Sequence, residues 1–199
     1  MNQKTAMKLF GLLGLLMLLS CGYADRHRNN SSCEQVLVDS LEVRIQDSLF
    51  SNVHYSRSQV LDALTQTQDS QVYYRLLALY GKTFFVSSDY DSILYYNRRV
   101  KEFSRNASQS SESLQSPQWN DVLSDVYNIE GNVWMQLNRP DSAITDYKKA
   151  YEYLLKGKKL HLLPDICINI ADAYLHRSDL AHTASYYRRA LFLCDSLNL

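Results

Sequence analysis

At 199 residues and 46% apolar content, the chain is long enough for one domain with a substantial core. Its 21 basic residues balance 21 acidic ones, so there is no global field and no strongly basic surface of the kind nucleic acid selects. The first stretch, MNQKTAMKLFGLLGLLMLLS, stands apart from any fold. Lys4 and Lys8 give it a positive start, and Leu9 to Leu19 is an apolar run of signal-peptide length. It falls short of the roughly 20 apolar residues of a spanning helix.

The run closes on Leu18-Leu19-Ser20-Cys21, with a small residue directly before the cysteine. This resembles the lipobox of bacterial lipoproteins. The resemblance implies cleavage before Cys21, a diacylglycerol on its thiol and often a further acyl chain on the new amine. Two or three acyl chains anchor firmly where one is marginal. An ordinary cleaved signal followed by a chance cysteine is the alternative. Residues 1–20 are thus expected to be a signal peptide, and the polar stretch 21–32 a flexible tether. No acidic run follows Cys21, so the surface-export signal of some outer-membrane lipoproteins is not expected. A lipid-anchored, periplasm-facing protein of a bacterial cell envelope is the expectation.

Residues 33–70 read as a helical hairpin. Val36, Leu37, Leu41, Ile45 and Leu49 fall at three- and four-residue spacings, which predicts an amphipathic helix. Ser58 before Val60, Leu61 and Leu64 reads as the N-cap of a second helix. Three longer units follow, at about 71–105, 119–156 and 164–199. The first holds Leu76, Leu77, Leu79, Tyr80, Phe84 and Phe85 on one expected helix and Ile93, Leu94, Tyr96 and Val100 on the next, broken at Ser87-Ser88-Asp89. The serine-rich stretch 106–118 has almost nothing to bury and reads as an exposed loop, with a mobile flap as the alternative. The chain's three prolines, Pro117, Pro140 and Pro164, each sit where a helix is expected to begin. No segment alternates with period two long enough for a strand. The expected fold class is all-α.

The three units share one pattern. Gly131, Trp134, Ala143, Tyr147 and Ala150 recur 50 residues earlier as Gly81, Phe84, Ile93, Asn97 and Val100, and 40 later as Ala171, Tyr174, Thr183, Tyr187 and Ala190. In its small and aromatic positions this resembles the tetratricopeptide repeat. Asn97 departs where the family has an aromatic, Thr183 and Glu130 depart elsewhere, and spacings of 50 and 40 exceed the family's roughly 34 residues. The resemblance implies an α-solenoid of antiparallel helix-turn-helix units, covering 71–199. From Asp121 onward the wording also resembles the repeat regions of Bacteroidetes signalling proteins.

Chemistry is sparse. The histidines at 27, 54, 161, 176 and 182 share no metal-ligand spacing, and no HExxH, CxxC, GxSxG or phosphate loop is present. Neither an enzyme nor a cofactor or metal is expected. Cys167 and Cys194 read as small core residues, with a bridge between them as the alternative. Of the 15 tyrosines, Tyr74, Tyr80, Tyr127, Tyr147, Tyr174 and Tyr187 fall on core spacing. The repeat resemblance implies peptide binding on the face lined by the first helix of each unit. That maps to Arg75 and Lys82, to Asn128, Asn132 and Gln136, and to Asp172 and His176. Along the last helix, Tyr186, Leu193 and Leu197 flank one side of Tyr187, Ala190 and Cys194, and Ala184 and Leu191 the other. This stripe is wider than a one-sided surface helix shows, so self-association, a partner, or continuation of the chain into a longer protein is expected there.

The expected function is a protein- or peptide-binding scaffold on a membrane's periplasmic side, its membrane contact made through the lipid. An extracytoplasmic sensor portion of a regulator and a glycan-binding lipoprotein are the alternatives.

Overall fold

The computed structural model describes residues 35–43, 45, 52–107 and 116–199. The signal peptide, the tether with Cys21, Cys33 and most of the serine-rich loop lie outside the described residues. Among the described residues the regular structure is all helical: α1 (35–43), α2 (Val53–Gln66), α3 (Ser70–Lys82), α4 (Tyr90–Ala107), α5 (Pro117–Gln136), α6 (Pro140–Leu154), a 3₁₀ turn (Leu160–Leu162), α7 (Leu163–His176) and α8 (Leu180–Leu197). Each helix packs on its successor from α2 onward, most closely within the pairs α5–α6 and α7–α8. The molecule is an all-α stack of antiparallel helix pairs. None of its described helices is long and apolar enough to cross a membrane.

Local chemistry sets the helix starts. Pro117 and Pro140 open α5 and α6, and Pro164 lies in the first turn of α7, where a missing N–H costs nothing. Ser116 accepts from Trp119 N–H at the start of α5, and Asp69 from Gln71 and Val72 at the start of α3. One expectation is corrected here. The cap of α2 is Asn52, which accepts from Tyr55 N–H at 3.0 Å, so the helix starts before Ser58. Ser58 lies inside it, its hydroxyl bonded to Tyr55 O.

The turn inside each pair is built the same way three times. Ser88, Asn138 and Ser178 all take left-handed backbone, with φ of 55°, 55° and 59°. Each is followed by a residue whose N–H reaches back over the turn: Asp89 to Phe84 O, Arg139 to Trp134 O and Asp179 to Tyr174 O. This closes the orphan carbonyls at a helix end in the manner of a Schellman motif. Asp89 and Asp179 then cap the following helix, accepting from Ser92 and His182 N–H. Arg139 cannot cap, and Pro140 behind it removes one of the donors that would need a partner.

The first of the three units differs in one respect. Phe84 and Phe85 lie in the turn, not in α3, which ends at Lys82. Thr83 is the cause: its hydroxyl, at 2.7 Å, and its N–H both take Tyr80 O, the carbonyl that Phe84 N–H would need to continue the helix, while Arg57 from α2 holds the Thr83 carbonyl at 3.2 Å. Phe84 and Phe85 N–H then bond three residues back instead of four.

The core runs along the stack as four apolar clusters. Its largest joins Ala143, Tyr147 and Ala150 of α6 to Ile166, Ile170 and Tyr174 of α7. Ala143 and Ala150 are wholly buried, and a Cβ on Gly131 would lie 2.3 Å from the Tyr147 ring. Small residues on facing helices therefore set how closely α5 and α6 approach. In the first pair Asn97 stands where α6 has Tyr147. It is buried and donates to Val126 O on α5, while the neighbouring Tyr96 packs against Gly81. Glu130, another of the three departures, is also buried and holds Lys101 of α4 at 2.6 Å. Both departures thus tie one pair to the next. Cys167 and Cys194 are free thiols, Cys167 fully buried and pushed up to about 11 by that burial.

Candidate functional site

A cleft of about 590 Å³ opens between the first helices of successive pairs and α1. α3 supplies Arg75 and Lys82, α5 supplies Asp121, Asp125 and Asn128, and the segment joining α6 to α7 supplies Lys158, Lys159 and His161. Apolar side chains from each wall, Val43, Val122, Leu154 and Ile166, complete it.

Two of its acids hold the architecture together. Asp121 is buried, and its Oδ1 accepts from the backbone N–H of Lys158 at 2.9 Å and of Lys159 at 3.1 Å. The approach is close enough that a Cβ on Gly157 would displace the Asp121 carboxylate from these two N–H groups. Glu42 on α1 reaches Lys159 at 3.1 Å and Arg75 at 3.3 Å. It thereby connects α1 to a loop 117 residues away.

Between these braces lie Asp125 and Lys82. Burial pushes the Asp125 carboxyl up, against the opposing pull of the Lys82 and Lys159 ammonium groups. For Lys159 burial works downward, but the Asp125 and Glu42 carboxylates outweigh it and hold the ammonium above its ordinary value. The cleft thus offers charges of both signs at short range, with apolar surface between them. That arrangement suits a peptide, whose side chains and backbone present the same mixture.

The expected binding residues separate into three groups. Lys82 and Asn128 line the cleft, Asn128 also accepting from Asn169 of α7 at 2.9 Å. Arg75 lines it too, but as a fastening and not as an open contact. It is 7% exposed, and its guanidinium is enclosed by Gln35, Asp39 and Glu42 of α1, with Asp39 at 2.7 Å. A ligand carboxylate would compete with three partners already in place. Asn132 and Asp172 lie outside the cleft and perform one shared task. Each accepts the hydroxyl of its own pair's tyrosine, Tyr147 to Asn132 at 2.7 Å and Tyr187 to Asp172. Gln136 and His176 are exposed at the ends of α5 and α7, also outside the cleft.

Sequence reasoning missed Glu42, Asp121 and Lys159 as cleft residues. Gly157 beside a charged loop was a local signal for a close backbone approach, but its partner Asp121 lies too far away in the chain to be read from it. Among the described residues no group of three or more His, Cys, Asp or Glu could hold a metal ion.

Set against known protein families and curated proteins, the chain matches none. Among solved structures it is similar to the crystal structure of BtubC (BKLC) from P. vanneervenii, at 15% identity and a TM-score of 0.41, over 83% of this chain and 80% of that one.

Proposed function

We propose that the chain is a tetratricopeptide-type lipoprotein, held to the periplasmic side of a membrane through Cys21 and binding a peptide segment of another protein. The cleft is the observation that carries this reading. Its walls come from α1, α3, α5, α6 and α7 and the segment joining the last two, and they combine apolar anchors with Lys82, Asp125 and Asn128. The repeat part of the reading is supported by the thrice-built left-handed turn at Ser88, Asn138 and Ser178. It is supported too by the recurring tyrosine clasp of Tyr147 on Asn132 and Tyr187 on Asp172. The peptide sets an acidic group on Lys82 and lies along α5, with one basic side chain against Asp125 and apolar ones toward Val122 and Ile166.

Affinity capture from native membranes, read by mass spectrometry, tests the binding. Lys82→Glu places a third acid beside Asp125 and Asp121 and is expected to lose the captured partner at least tenfold. Equal recovery by wild type and variant would remove the cleft as the binding site. Cys21→Ser is expected to abolish acyl labelling and release the chain from the membrane fraction.

A further inference from the structure

The last pair of helices leaves uncovered the surface that the middle pair buries. In α6, Ile144, Tyr147 and Leu154 are 5%, 2% and 1% exposed, and α7 shares their apolar cluster. Forty residues on, α8 carries Ala184, Tyr187 and Cys194 at the same positions, exposed or half-exposed. Leu191, the counterpart of the half-buried Tyr151, is 67% exposed, as is Leu180 at the start of the helix.

Leu180, Ala184, Tyr187, Leu191 and Cys194 alternate four- and three-residue steps along one side of α8. That is the period of a helix that packs lengthwise on another. It is also the period with which α7 brings Leu163, Ile166, Ile170 and Ala173 into the cluster it shares with α6. The flank of α8 is therefore both a seat for such a helix and a helix of the kind that seat takes. A surface with both properties is complementary to itself, as a two-fold interface demands.

We infer that this flank is the interface of a homodimer, in which α8 of one copy lies antiparallel on α8 of the other. The side-chain sizes fit that arrangement. Centred on Tyr187, an antiparallel pairing sets Leu180 opposite Cys194 and brings Ala184 within one residue's rise of Leu191, about 1.5 Å, large on small in both layers, with the two Tyr187 rings at the axis. The inference is independent of what the cleft binds.

Sedimentation equilibrium of the full chain in density-matched detergent tests it. The protein mass is expected to rise with concentration from one chain toward two and to stop there. Leu191→Asp is expected to stay at one chain throughout with its helical circular dichroism unchanged. Leu61→Asp, a matching change at a 48% exposed leucine on α2, is expected to behave as wild type. As a second measurement, Arg188→Cys beside the axis is expected to give a covalent dimer under mild oxidation, and its failure to do so counts against the pairing even if Leu191→Asp unfolds. A single-chain mass for wild type at every concentration overturns the inference. So does equal dissociation by Leu61→Asp, or a mass growing past two chains, which would show head-to-tail stacking.

Discussion

At the scale of single residues, the interior of the stack is decided by where a methyl group fits. Gly81 and Gly131 hold the same place in successive pairs, and at both an alanine would favour the helix by about 1 kcal/mol. Their surroundings differ. A Cβ at 81 would lie 3.1 Å from Tyr96 Cβ, a contact relieved by a shift of a few tenths of an ångström. A Cβ at 131 would lie 2.3 Å from the ring of Tyr147, which is 2% exposed and pinned by its hydroxyl to Asn132. That ring cannot retreat without losing its hydrogen bond and forcing α5 and α6 apart, at about 1–3 kcal/mol for overpacking. Chemical denaturation is expected to show Gly81→Ala within about 1 kcal/mol of wild type and Gly131→Ala clearly destabilised. The reverse order would mean that Tyr147 does not set the spacing of the two helices.

At the scale of helices, the contact between the first and middle pairs carries a charge in an apolar setting. Glu130 on α5 is 4% exposed and bonds Lys101 of α4 at 2.8 and 2.6 Å. Burial raises the Glu130 carboxyl above its ordinary 4.5, and the Lys101 ammonium only partly offsets that. A carboxyl whose value is higher folded than unfolded binds protons more readily in the folded state. Its contribution to stability is present at low pH and is lost as pH rises from 4.5 through the raised value. Glu130→Gln removes this dependence. Urea titrations between pH 4 and 7 are expected to give a flatter stability profile for the variant, the difference from wild type growing toward neutrality. Parallel profiles would show that Glu130 is not held in a raised state. The position also shows what was readable beforehand. The helix pairs, their breaks and the three helix-opening prolines follow from local periodicity and turn chemistry, and the structure has them. Glu130 and Asn97 stood out as departures from a pattern, but their reason lies in partners on a neighbouring helix, Lys101 and Val126. The early end of α3 was hidden for a different reason: Thr83 competes for the Tyr80 carbonyl within its own helix, which apolar periodicity does not register.

At the scale of the whole molecule, the cleft exists because α1 is fastened across the first pair, a fact that depends on pairs far apart in the chain. Lys82 and Asn128 could be placed on one face from their helical positions alone. The enclosure of Arg75 by α1 and the reach of Glu42 to Lys159 could not, because they join segments separated by 33 to 117 residues. α1 is held by two kinds of contact. Val38, Leu41 and Ile45 are buried against Val72, Leu76 and Leu79 of α3, and Arg75 gathers Gln35, Asp39 and Glu42 around one guanidinium. Removing Arg75 leaves Glu42 with Lys159 as its remaining ion-pair partner among the described residues. The carboxylates left behind keep solvent or a second partner, so the loss is about 1–3 kcal/mol, below that of stranding a fully buried charge. In a stack where each element touches its neighbours, such a loss stays local. Arg75→Ala is therefore expected to speed amide exchange in α1 and in the facing turns of α2 and α3, with α5 to α8 unchanged. Arg75→Met, which keeps the apolar stem, should recover part of the protection. Uniform acceleration along all helices would mean that the stack unfolds as one unit and that α1 is not a separately fastened wall of the cleft.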